Sequence, residues 1–366
     1  MNAFNVIQKF RPRITSDPKG FTKTWKGKDV CKYKGFRCDM YPNTKNRTVS
    51  GLKFNQAGFG GPNLTLFGLV DGLPDLVFYH ANSNNFTGSI PKKIIQYKFL
   101  YELDLSNNKF TGEFPREVLG ATNLTFLDLR FNKYHGLVPP ELFTLDVDEL
   151  FINNNWFSGK LPDNFGSTPA LYLTFANNLF TGPIPKSIGQ ASKTLTEVLF
   201  LNNKFSGCLP YEIGFLEKAT VFDVSVNQLT GPIPQSFACL VKIQLLNLAG
   251  NQFYGPVPEL VCKLPNLGAL SLANNFFTQV GPECRKLIKK NVLDVSRNCI
   301  LDLPNQKSKD ECRKFFHVPR YCPNARSLTI VPCHKYYSSS VNTSNQQSKA
   351  AAPSPVTYNA LKQHRF

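Results

Sequence analysis

At 366 residues the chain is long enough for two or three ordinary domains, and with 42% hydrophobic residues it can bury a substantial core. Ten cysteines, none in paired C-x-x-C spacing, favour disulfides in an oxidising compartment over a zinc site or a cytosolic protein. The net charge of +17 sits at the ends: residues 1–53 hold 13 basic against 3 acidic residues and residues 284–336 hold 12 against 4, while the middle is slightly acidic. No known nucleic-acid motif accompanies that charge, so a nucleic-acid partner is excluded, and basic ends suit a polyanion such as de-esterified pectin or simply a solvated surface.

From the start of the chain, MNAFNVIQKF lacks the basic start and long apolar stretch of a signal peptide, and no apolar run approaches the length of a membrane span. If the chain is secreted, it is expected to begin after its signal or to be a fragment. Phe4, Ile7 and Phe10 lie at helical spacing, followed by Trp25 and by Cys31 and Cys38 with six residues between them. A bridge across so short a loop would staple a helix onto the first repeat. We therefore expect an amino-terminal cap over 1–48.

Residues 49–283 repeat. ELDLSNNKFTGEFP at 102–115 recurs as EVLFLNNKFSGCLP at 197–210, VFDVSVNQLTGPIP at 221–234 and LLNLAGNQFYGPVP at 245–258. Alignment places one asparagine per copy, at Asn84, Asn108, Asn132, Asn155, Asn178, Asn203, Asn227, Asn251, Asn275 and Asn298, in steps of 23 to 25 residues. That period belongs to leucine-rich repeats. The fold class is therefore an α/β leucine-rich repeat solenoid, curved and right-handed, with a parallel concave β-sheet and disulfide-stapled caps. In each copy the L-x-L stretch is a short strand whose alternate residues, such as Leu103/Leu105 and Leu127/Leu129, fill the core. The asparagine turns the chain and satisfies backbone groups left unpaired by the turn. T-G-x-I-P, as at 181–185, marks the plant type and resembles a second, convex-side strand.

Residues 284–337 carry the last repeat and a cysteine-rich cap, and from 338 to 366 the composition turns to Ser, Asn, Gln, Ala and Pro, which reads as a disordered tail. The expected bridges are Cys31–Cys38, Cys208–Cys239 and Cys262–Cys284. Cys299, Cys312, Cys322 and Cys333 allow three pairings.

Side chains between the inward leucines face out, and the concave face of a solenoid is its usual binding surface. One outward column includes Phe78, Glu102, Phe126, Glu149, Tyr172 and Glu197. The next includes His80, Asp104, Asp128, Phe151 and Asp223, and further columns include Arg130 and Phe131. Aromatic anchors among carboxylates suit a basic, partly apolar peptide. The alternative is that the Asp of L-D-L serves only neighbouring strands or solvent. The five histidines are scattered, H-E-x-x-H and G-x-S-x-G do not occur, and Asp104 and Asp128 on an open sheet lack the enclosing cleft of a glycosidase. We expect no enzyme, no cofactor and no metal. Five N-x-S/T sequons, at Asn46, Asn63, Asn85, Asn123 and Asn342, favour glycans in a secreted protein.

FYHANSNNFTG (78–88), LYELDLSNNKFTGEFP (100–115), FLDLRFNKYHGLVPPELF (126–143) and TVFDVSVNQLTGPIP (220–234) resemble, in order, the repeats of plant leucine-rich repeat extensins and their relatives without an extensin tail. CKLPNL (262–267), PEC (282–284) and NC (298–299) follow that family's cap, and the resemblance covers roughly 1–335. Two departures stand out. Thr87 and Pro183 occupy positions where the family often has cysteine, and the Ser-Pro tail that crosslinks extensins into the wall is missing. The resemblance implies an extracellular protein of the cell wall, and in the extensin members the repeat domain binds small cationic rapid-alkalinisation peptides. The alternatives are an inhibitor of wall-degrading hydrolases, as polygalacturonase-inhibiting solenoids are, with a wall enzyme as partner, or a structural pectin binder.

Overall fold

The computed structural model describes residues 2–41 and 46–333. The tail expected from 338 and the sequon at Asn342 lie outside the described residues. The chain divides into two compact units: the first runs to Ser158 and takes in Thr168–Ala170, and the second comprises Gly159–Ser167 and the chain from Leu171.

The first unit opens with the helix Ala3–Phe10, whose N-cap Asn2 accepts a hydrogen bond from the Phe4 amide. Its apolar stripe buries Val6, Ile7 and Phe10. Trp25, fully buried, meets Phe36 and Phe59 edge-on. Cys31 and Cys38 are bridged as expected. Strand Phe36–Met40 runs antiparallel to Arg47–Lys53, and parallel strands follow at Phe78–His80, Glu102–Asp104, Phe126–Asp128 and Glu149–Phe151. The near-constant repeat length fixes the register, so that Tyr79, Leu103, Leu127 and Leu150 stand in one buried column. Each fully buried leucine is worth roughly 1.5–3 kcal/mol of transfer free energy, so the column is the core of the stack.

The turn after each strand is built the same way each time. A residue in the left-handed region, at Ser83, Asn107, Phe131 and Asn154 with φ of 52° to 58°, comes just before the buried asparagine. Asn108 shows the bonding. Its Nδ2 donates to Leu105 O and Ser106 O in its own turn and to Ala81 O one repeat earlier, and its Oδ1 accepts from Phe86 N, also one repeat earlier. The ladder therefore links each amide to its neighbour's backbone and not amide to amide.

In the second unit the parallel strands are Tyr172–Thr174, Glu197–Leu199, Val221–Asp223, Leu245–Asn247, Ala269–Ser271 and Leu293–Asp294. The T-G-x-I-P segments form the expected further strands, Leu179–Gly182, Lys204–Cys208, Gln228–Gly231, Gln252–Pro256 and Phe276–Gln279, also parallel. Beneath them aromatics that follow the asparagines stack in pairs, Phe180 on Phe205 at 5.9 Å and Phe253 on Phe277 at 6.4 Å, with Leu229 between the pairs. Helices Pro282–Lys289 and Lys309–Phe316 close the unit, the latter with a capping box between Ser308 and Glu311.

The disulfides correct one expectation. Cys262 pairs with Cys284, but Cys208 pairs with Cys322 and Cys239 with Cys333, leaving Cys299 with Cys312. Cys208 and Cys239 do not meet because they sit on different parts of the repeat: the first ends a strand, the second ends the 3-10 turn Gln235–Cys239. The carboxy-terminal segment instead lies back across the repeats, and the Tyr254 hydroxyl donates to Arg320 O at 3.0 Å. Gly231, with φ +91°, leaves the Cys208–Cys322 bridge its room, since a Cβ there would stand 2.3 Å from the Cys322 sulfur. Among the described residues no helix is long and apolar enough to cross a membrane.

Candidate functional site

Strand register in the first unit sets Phe78, Glu102, Phe126 and Glu149 side by side in one outward column and His80, Asp104, Asp128 and Phe151 in the next. The two columns behave differently. Glu102 is exposed and Phe78, Phe126 and Glu149 are half-buried, whereas Asp104, Asp128 and Phe151 are buried. The expectation of an open second column is thus corrected at these three positions. Each lies in the middle of a three-residue outward row, and neighbours on both sides and on adjacent strands, about 5 Å away, close over it.

The buried carboxylates are held by their own sheet. Asp104 Oδ1 accepts from Ser106 N and Oγ at 3.0 and 2.7 Å, and its Oδ2 accepts from Asn82 Nδ2 at 2.7 Å. Asp128 pairs with the equally buried Arg130 at 2.8 Å, and the Arg130 guanidinium lies 4.9 Å over the Phe151 ring. Burial pushes the Asp128 carboxyl well above the usual carboxylate range, the Asp104 charge adds to this, and Arg130 opposes it. Arg130 is therefore a structural partner of Asp128 and not an outward contact. Phe131, half-buried, occupies the left-handed position of its turn, where Asn107, Asn154, Asn177, Asn202 and Asn274 stand in other repeats.

Open and buried residues of the two columns together border a cavity of about 350 Å³ lined by Asn55, His80, Asn82, Glu102, Asp104, Thr125, Phe126, Asp148 and Glu149. Four of these nine are carboxylates. His80 Nε2 meets Glu102 Oε2 at 2.7 Å. Burial raises the pKa of Glu149, Arg130 opposes this, and Asp148 and Glu102 raise it further. Phe126 stands edge-on to Phe151 at 6.0 Å. The Phe78 ring lies over Gly51, where an added Cβ would come within 2.1 Å of it. Asn55, Asn82, Thr125 and Asp148 were not among the residues expected from the sequence. Thr125 and Asp148 come just before their strands and Asn82 two residues after its own strand's end, so an L-x-L reading passes over them.

In the second unit Tyr172 is exposed, Glu197 is half-buried with its pKa raised to about 7 by burial, and Asp223 is buried. Asp223 accepts from Ser225 N at 2.7 Å and from Asn247 Nδ2 at 2.9 Å, the neighbour-strand role weighed for L-D-L aspartates. Of the sequons, Asn46, Asn63 and Asn123 are exposed and Asn85 is half-buried.

The leucine-rich repeat family model matches residues 99–120. Among curated proteins, leucine-rich repeat extensin-like protein 6 of Arabidopsis thaliana is 48% identical over 88% of this chain and 68% of its own length. Leucine-rich repeat extensin-like protein 2 of the same plant is 49% identical over 62% of this chain but only 28% of its own length, so the chain spans under a third of that relative. Among solved structures, the ectodomain of the Arabidopsis receptor kinase GASSHO1/SCHENGEN3, in complex with CASPARIAN STRIP INTEGRITY FACTOR 2, superposes with a TM-score of 0.71 at 26% identity, over 82% of this chain and 36% of that one. The Arabidopsis HAESA ectodomain with a bound IDA peptide hormone gives 0.64 at 26% identity, over 76% and 46%.

Proposed function

Because the chain belongs to the plant leucine-rich repeat extensin-like family, with the fold of plant receptor ectodomains, we propose that it is an extracellular wall protein that binds a cationic signalling peptide on the outward sheet face of its first unit. The observation that carries this reading is the carboxylate-lined cavity at Glu102, Asp104, Asp148 and Glu149 with the Phe126 ring in its wall. Clustered negative charge attracts a basic partner and speeds encounter, while half-buried rings such as Phe78 and Phe126 supply contact area. The HAESA ectodomain, solved with its peptide hormone, supports a peptide as the kind of partner. The disulfides support an oxidising compartment. The exposed sequons at Asn46, Asn63 and Asn123 are proposed glycan sites.

The test is surface plasmon resonance against a panel of cationic wall peptides at two salt concentrations. Glu102→Gln with Glu149→Gln is expected to slow association and flatten its salt dependence, and Phe126→Ala is expected to speed dissociation by roughly tenfold. Absence of any peptide binding tighter than about millimolar, or kinetics unmoved by all three substitutions, rejects the reading.

A further inference from the structure

The second sheet of the repeats, formed at the position of the T-G segments, carries an exposed patch in the first unit. Its strands Thr111–Gly112, Lys133–Gly136 and Trp156–Gly159 run parallel, with Thr111 beside Lys133 and His135 beside Trp156. Strand alternation turns Tyr134 and Phe157 inward and leaves Thr111, Lys133, His135 and Trp156 exposed on one face. Beneath them Phe110, Tyr134 and Phe157, all buried, stack at 6.3 and 6.1 Å with rings within 8° of parallel, so the patch stands on a fixed base. Trp156 is 52% exposed, although tryptophan is on average a highly buried side chain. Packing does not demand an indole at that place, because Lys109 and Lys133 occupy it in the two preceding repeats.

Among the described residues neither Lys109 nor Lys133 forms an ion pair. The stem of Glu113 rises beside Gly136, at the other end of the strand from Lys133. Outward groups recur about 5 Å apart across the strands and about 7 Å along them, the scale of successive sugar rings in a polysaccharide. On such a chain the indole covers the C–H face of one ring, the lysines meet carboxylates carried by the sugars, and Thr111 and His135 offer hydrogen bonds to ring hydroxyls. A protein partner fits less well. Among residues 109–137 and 155–158 only Trp156 and Leu137 are large, apolar and exposed, whereas a stable protein interface has a wider apolar core within about 1,200 Å² or more of buried surface. We propose that this patch binds an acidic polysaccharide, with Trp156 as the stacking platform and Lys109 and Lys133 as the partners of its carboxylates. The patch lies on a different sheet from the peptide face and stands or falls independently of it.

Trp25 and Trp156 are the two tryptophans of the chain, and Trp25 is fully buried, so quenching of tryptophan fluorescence by acrylamide reports on Trp156. The full chain is titrated with polygalacturonate, with polyglutamate as a polyanion lacking sugar rings, and with hydroxyethyl cellulose as a neutral glucan. Salt at about 150 mM screens long-range attraction to the basic ends. Polygalacturonate is expected to shield Trp156 from acrylamide, and the other two polymers to leave it open. Trp156→Ala is expected to weaken polygalacturonate binding, read by calorimetry, by about tenfold, and Lys109→Gln with Lys133→Gln to weaken it by a similar factor and flatten its salt dependence. Trp156 still open to acrylamide at saturating polygalacturonate, or shielded equally by polyglutamate, overturns the patch. Equal shielding by the neutral glucan overturns its selectivity for acidic chains. Polygalacturonate binding that none of these substitutions moves places the polyanion on the basic ends and overturns the proposal as well.

Discussion

Replacing Asn203 by Leu removes four hydrogen bonds at once, and the structure shows how unequal they are. Asn203 Nδ2 donates to Phe175 O at 3.0 Å, Phe200 O at 3.0 Å and Leu201 O at 3.2 Å, and its Oδ1 accepts from Phe180 N at 3.0 Å. Each of the three carbonyls keeps another donor: Phe175 O has Asn178 Nδ2, Phe200 O has Asn227 Nδ2, and Leu201 O has Asn177 N. The Phe180 amide, by contrast, loses the acceptor that Asn203 gives it, within a residue that is fully buried. A buried donor that loses its acceptor costs about 1–3 kcal/mol and each of the three bonds lost to a still-satisfied carbonyl about 0.5 kcal/mol, so the substitution is expected to destabilise by about 2.5–4.5 kcal/mol. Urea unfolding of wild type and Asn203→Leu measures the total. Amide exchange at Phe180 tests where the loss falls, and it should speed up more than at any neighbouring amide of Leu179–Gly182. A loss under about 1 kcal/mol, or protection of Phe180 unchanged, would refute the account of the turn.

Three further outcomes rest on particular contacts. Replacing Cys239 and Cys333 together by Ser opens a circuit of about forty residues while Cys208–Cys322 holds, so loop entropy predicts a loss of about 4 kcal/mol, and urea unfolding showing less than about 1 kcal/mol would reject the loop-entropy account. Glu197 has a folded pKa raised to about 7 against an ordinary value of 4.5, so its contribution is fully present below about pH 4.5 and lost as pH rises through 7. That predicts stability falling over this window by up to about 3 kcal/mol, or roughly half that after solvent screening, with the slope removed in Glu197→Gln; parallel pH–stability curves for the two proteins would contradict it. Gly51→Ala would set a methyl 2.1 Å from the Phe78 ring, and is expected to cost about 1–3 kcal/mol in thermal unfolding and to displace that ring. An unchanged melting temperature would show that the ring moves away freely.

Much of the fold was legible because its determinants are local and periodic. One buried asparagine per 23 to 25 residues, with leucines alternating before it, specifies strand, turn and register together. The short bridge Cys31–Cys38 and the helix before it were legible for the same reason, being neighbours along the chain. Cys208–Cys322 and Cys239–Cys333 were not, because their partners are 114 and 94 residues apart and meet only through the path of the carboxy-terminal segment across the stacked repeats. Cysteine spacing carries no information about such a path.

The candidate face was legible in its columns but not in which column is open. Sequence periodicity tells which residues leave the core, and both Glu102 and Asp104 do. It does not tell whether a residue that leaves the core reaches water, because that depends on the side chains beside it on the sheet. Asp104 is closed in by Ser106 just beyond its own strand and by Asn82 one repeat earlier, both of which bind it. Asp128 is closed in by Arg130, which an outward reading would count as a contact residue. The same residues border the carboxylate-lined hollow: Asn82, whose Nδ2 ties down Asp104, stands in its wall together with Asp104 and Glu102. The buried aspartate and the open cavity are therefore two sides of a single arrangement. Losing Asp104 would take from the Asn82 amide the acceptor that now holds it, and would leave Ser106 Oγ without its partner as well.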